Sequence, residues 1–256
     1  MTVLWVTTAT GLATGLGALP VFFKQGVSHR TYDAAVGLAA GIMIAASVFA
    51  LIIPGTEEGT LAAVMAGVVG GGFGLLVTNR LIPHVHEWYS QLEPHGGADP
   101  EDVDPDVTDR FRRALLIGGA ITLHNAPEGL AMGVAYASGL ESVAVVLAVV
   151  IGLQNVPDGF AFAVPMSDTG MGNGRVLLWT TASGTVPQVI SGVIGFTLVD
   201  AATGVFPVAA GLAAGAMLAV VFREMIPSSH GHGHADAATA AFLVGFVLLV
   251  VVDGAL

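Results

Sequence analysis

The chain has 256 residues, of which 54% are hydrophobic and 11% charged, with a formal net charge of −11 and no cysteine. Soluble domains carry roughly 25% charged residues, so this composition, with a mean hydropathy of +0.79, excludes an ordinary soluble fold and indicates a polytopic membrane protein. Absent cysteines exclude a disulfide framework and a thiolate metal site, and eight basic residues against 19 acids leave no basic patch for nucleic acid.

A bilayer-spanning helix needs about 20 mostly apolar residues. In chain order such stretches occur at 2–23, 34–54, 60–82, 111–136, 142–166, 175–199, 204–227 and 236–256. The expected fold class is all-α, with eight transmembrane helices and residues 1–256 forming a single transmembrane unit. The N-terminus has no basic n-region, so the first stretch reads as a spanning helix and not as a cleaved signal. The connections are short except for 83–110. That stretch holds His84, His86 and His95, then an acidic run from Asp99 to Asp109, and reads as a loop.

Topology follows from the basic residues. Lys24 and Arg30 lie between the first two stretches, and Arg80, Arg110, Arg112 and Arg113 flank 83–110. Arg175 lies between the fifth and sixth, and Arg223 near the end of the seventh. All fall at odd-numbered connections, so the positive-inside rule predicts both termini outside and the His-bearing connections in the cytoplasm.

The run Gly37-Leu38-Ala39-Ala40-Gly41-Ile42-Met43 in the second stretch matches Gly211-Leu212-Ala213-Ala214-Gly215-Ala216-Met217 in the seventh. The fourth and fifth stretches share a motif: His124-Asn125-Ala126-Pro127-Glu128-Gly129, then Gln154-Asn155-Val156-Pro157-Asp158-Gly159. In each pair the two copies run in opposite directions. This predicts an inverted-repeat bundle with a site near its pseudo-twofold axis, an arrangement transporters use.

Within each motif two metal-binding side chains stand four apart, on one helical face. His124 and Glu128 offer an imidazole and a carboxylate. Gln154 and Asp158 repeat the layout, with Asn125 and Asn155 beside them. Facing helices would enclose one ion, and nitrogen and oxygen donors suit Zn²⁺, Fe²⁺, Mn²⁺ or Co²⁺. Amides and His also glue membrane helices together, but buried carboxylates are costly and mark functional sites. Pro127 and Pro157 each remove a backbone donor and free the carbonyl one turn earlier. Met43 offers a thioether, against the plainer reading of packing. Thr181, Thr185, Gln188 and Ser191 form a polar stripe facing either a pathway or a neighbouring helix. His230, His232 and His234 form a short His-rich tract, and His84 with His86 a second pair. Both are candidates for metal capture in the loops.

At these residues the chain resembles the ZIP (Zrt/Irt-like protein) family of divalent metal transporters, prokaryotic branch. The resemblance covers nearly the whole chain. It implies transport of zinc, or of iron, manganese, cobalt or cadmium, into the cytoplasm through the cell membrane. It implies His124, Glu128, Gln154 and Asp158 as metal ligands with Met43 alongside, and Asn125 and Asn155 in an adjoining second site bridged by Glu128 and Asp158. Two departures stand out: Asp158 replaces the commoner Glu, and Ser183-Gly184-Thr185-Val186-Pro187-Gln188 lacks the carboxylate of the Ser-Gly-x-x-Glu-Pro pattern. The sequence therefore predicts one dominant intramembrane ion. The metal is cargo, with no cofactor expected. The partners are the metal ion and the lipid bilayer, without nucleic acid, and a homodimer is compatible with both. The rival readings are an intramembrane zinc metalloenzyme, for which His-Glu-x-x-His is missing, and a proton or organic-ion carrier working without metal.

Overall fold

The structure, a computed structural model, describes residues 2–23, 27–92, 124–168, 170–201 and 204–255, with the side chains of 79 and 81–92 excepted. Among these residues the chain is helical and falls into eight segments. They are α1 (Thr2–Phe23), α2 (His29–Glu57), α3 (Leu61–Leu92), α4 (124–138), α5 (Glu141–Asp168), α6 (Asn173–Ala201), α7 (Phe206–His230) and α8 (Ala235–Ala255). Seven of the eight are long and apolar enough to cross a membrane within the described residues. Trp5, Phe23, Phe73, Phe222 and Val251 stand exposed on their outer faces, as a lipid-facing surface requires.

Two boundaries differ from expectation. α2 begins at His29, not 34, because the Ser28 hydroxyl accepts the Thr31 N–H at 3.2 Å and caps its first turn. α3 continues to Leu92, so residues 83–92 are helix and not loop. Polar His84 and His86 lower the hydropathy there, yet Ile82, Val85, Tyr89 and Leu92 keep helical spacing. His84 and His86 thus fall in a helical tail, but their side chains lie outside the described residues. So do His95, the acidic run, Arg110, Arg112 and Arg113.

Both members of the sequence repeat carry the same irregularity. In α2 the turns over Ala46–Ile52 widen, and Ile53 N–H bonds Val48 O. In α7 the turns over Val221–Met225 widen, and Ile226 N–H bonds Val221 O. A proline follows each, Pro54 and Pro227. Proline has no N–H and its ring crowds the carbonyl one turn back, so the helix relaxes into five-residue hydrogen bonds.

Helix pairing respects the repeat. α2 packs on α8 as α7 packs on α3, and α1 packs on α5 as α6 packs on α4. Exchanging α1–α3 with α6–α8, and α4 with α5, maps one set onto the other. The closest approaches are made at glycines. A Cβ on Gly41 would strike Phe242 O, on Gly71 Leu212 O, on Gly159 Thr14 O and on Gly133 Gly192 O. Among the described residues every such approach lies either within α2, α3, α7 and α8 or within α1, α4, α5 and α6. The bundle is thus two glycine-welded bodies, which among the described residues meet where α2 runs along α5.

Candidate metal site

The motif helices α4 and α5 belong to the same body and turn their polar faces inward. His124, Asn125, Glu128, Gln154, Asn155 and Asp158 are all buried, and Glu128 is 0% exposed and Asp158 4%. α5 runs unbroken through Pro157 and Pro165. Leu123, whose carbonyl Pro127 would free, lies outside the described residues.

Gln154 joins the two acids. Its Nε2 donates to Glu128 Oε1 at 2.7 Å and to Asp158 Oδ2 at 3.3 Å. Glu128 Oε2 and Gln154 Oε1 are buried without hydrogen-bond partners. Such acceptors are costly to leave unmet in a protein interior, and a cation is the partner that oxygen atoms of this kind satisfy best.

His124 Nε2 lies 2.7 Å from Glu224 Oε2 on α7. This contact bridges the two bodies. Among the described residues no three His, Asp or Glu side chains surround one point. Glu224 lies outside the paired motifs, next to Arg223 near the end of the seventh apolar stretch. The signal was available, since an acid inside an apolar helix is a functional candidate by default.

Asn155 faces α1 and α6. Its Nδ2 donates to Thr10 O at 2.6 Å and to Gln188 Oε1 at 3.0 Å, and Gln188 Nε2 donates to Thr10 Oγ1 at 3.1 Å. The polar stripe of α6 therefore packs on α1, where Thr181 and Thr185 meet Gly15 and Gly11. Thr10 was not singled out from sequence, although Thr7, Thr10 and Thr14 share a helical face and all are buried. Asn155, Gln188 and Thr10 thus form a neutral hydrogen-bonded network joining α5, α6 and α1. Met43 is fully buried in α2, as is Met217 in α7.

The His-rich tract does not converge. His230 Nδ1 lies 3.0 Å from Ile226 O within its own helix. His232 Nδ1 lies 2.8 Å from Asp33 Oδ1, while its ring stacks on His29 at 4.5 Å and meets Tyr32 edge-on. These contacts tie the connection after α7 to the start of α2. His234 lies in the turn before α8.

Apolar helices, an internal repeat and two carboxylates buried among amides are the marks of a membrane transporter. Residues 89–253 match the family described as ZIP Zinc transporter. The chain is 37% identical to the zinc transporter ZIPB of Bordetella bronchiseptica, over 95% of this chain and 78% of that protein. It is 36% identical to the zinc transporter GufA of Myxococcus xanthus, over 95% and 94%. Human zinc transporter ZIP11 is 27% identical over 94% of this chain and 93% of its own. The chain belongs to the ZIP zinc transporter family, as a multi-pass membrane protein.

Proposed function

We propose that this protein carries divalent transition-metal ions, zinc foremost, into the cytoplasm across the cell membrane through a site on α4 and α5. Iron, manganese, cobalt and cadmium also accept nitrogen and oxygen donors and are the competing cargoes. One observation carries this reading: Glu128 and Asp158, buried in one body of the bundle, face a common amide with oxygen lone pairs unmet beside it. Two carboxylates offset a 2+ charge, and Gln154 Oε1, His124 and Met43 supply further donors within α4, α5 and α2. The adjoining amides Asn125 and Asn155 would serve a weaker second position.

Transport requires the site to face each side in turn. The division into two welded bodies supports a rocking or sliding motion of α1, α4, α5 and α6 against α2, α3, α7 and α8, with residues 1–256 acting as one transmembrane unit. Glu224 stands on the other body, within reach of His124, so an ion leaving Glu128 and Asp158 meets a third carboxylate across the boundary. In this reading, which the distribution of basic residues supports, both termini lie outside and His84, His86, His230, His232 and His234 lie on the cytoplasmic side.

The test is metal flux into proteoliposomes loaded with a metal-sensitive dye. Saturable Zn²⁺ uptake is expected for the native chain, with loss of nearly all of it in Glu128→Gln. Flux of no metal by folded protein, or an unaffected mutant, would sink this reading.

A further inference from the structure

Gln154 is set up to act in two opposite ways. The amide nitrogen carries two N–H groups and no lone pair for a metal, whereas the amide oxygen carries two lone pairs and no proton. In the structure the nitrogen faces Glu128 Oε1 and Asp158 Oδ2, and the oxygen is buried with no partner. The fork of N–H groups occupies the place between the two acids that a shared cation would take. Turning the terminal amide over exchanges the two ends, and that torsion is broad and roughly two-fold.

We propose that Gln154 is a two-way amide: it ligates the cargo through Oε1 when a divalent cation sits between Glu128 and Asp158, and its N–H groups replace the cation when the carrier returns unloaded. This rests on the transporter reading above and deepens it. Two carboxylates in a buried site need positive charge or directed N–H dipoles close by. Among the described residues no Lys or Arg forms an ion pair with either acid. The imidazole at the matching place in the first motif, His124, is directed to Glu224 instead. Its neutral form also has a single N–H, so it cannot bridge two acids as a primary amide does. Gln154 alone among the motif side chains is shown donating to both.

Two transport modes separate the roles. Net uptake into zinc-free vesicles requires an unloaded return in every cycle. Exchange of external labelled zinc for internal unlabelled zinc keeps the site loaded on both legs. Gln154→Glu keeps an oxygen ligand and removes the donors. Gln154→Met keeps length and a thioether, removes the donors and adds no charge. In both, net uptake is expected to fall by at least about tenfold more than exchange, the scale of losing a charge-assisted hydrogen bond. Gln154→His, with one N–H, is expected in between. A second readout is melting of the purified protein: chelated Gln154→Met should melt below the chelated native chain, and excess zinc should close most of the gap. Equal loss in both modes would overturn the proposal and leave Gln154 a ligand only. Native flux that is non-saturable and shows no exchange would likewise overturn it while leaving metal transport intact. Native protein with no zinc flux at all would overturn the transporter reading itself.

Discussion

At the scale of single residues, the carboxylate pair and its amides were readable because cost made them conspicuous. His124, Glu128, Gln154 and Asp158 interrupt apolar helices at helical spacing, and nothing but function or tight helix pairing tolerates that. Side-chain direction was not readable. The contact of His124 with Glu224 is not set by spacing, because which of several buried acids an imidazole meets depends on tertiary packing. Gln188 shows the reverse: its side chain bonds Asn155 and Thr10, in keeping with the missing α6 carboxylate. Gln188→Glu should therefore raise the number of tightly bound divalent ions per chain from one to two. Metal analysis after equilibrium dialysis measures this, and an unchanged stoichiometry would show that Asn125 and Asn155 do not frame a second position.

At the scale of elements, hydropathy located the helices and misjudged their ends. Averaging over a window cannot see the Ser28 cap of α2 or the amphipathic tail of α3. Glycine spacing signalled close packing but left the partners open, since a pair of glycines four apart fits any neighbouring backbone. The structure assigns them, and this yields a contrast. Gly41→Val forces α2 away from α8, because its Cβ would strike Phe242 O. The expected loss is about 1–3 kcal/mol of stability, seen as a lower melting temperature in detergent. Gly70 has nothing within 4 Å of its Cβ position. Gly70→Ala should leave melting unchanged or raise it, since alanine favours helix over glycine by about 1 kcal/mol. A comparable fall in both variants would mean that the loss at Gly41 does not come from its contact with α8.

Across the whole molecule, the sequence repeat announced the architecture, but the division into two bodies was invisible in it. Helices of one body are not consecutive: α1 joins α4, α5 and α6 only after the chain has passed through α2 and α3. Motion along their boundary can be arrested by covalent bridges, and the natural chain offers no cysteine to interfere. Leu153 of α5 and Leu248 of α8 line one crevice between the bodies. Phe49 and Phe246 touch within one body, at 6.0 Å between ring centroids. Linking cysteines at 153 and 248 with a short thiol reagent should stop zinc uptake and recover on reduction. The same treatment at 49 and 246 should leave most uptake intact. Equal inhibition by both pairs would argue against two separate bodies.

The widened turns ahead of Pro54 and Pro227 carry a consequence of another kind. A turn with one residue too many is a dislocation in a one-dimensional lattice. It can travel by trading one hydrogen bond for its neighbour, and each side chain it passes swings by about 100° around the axis. Glu224 sits inside such a turn. Its carboxylate can thus be re-aimed by a defect stepping along α7, while the rods on either side keep their places.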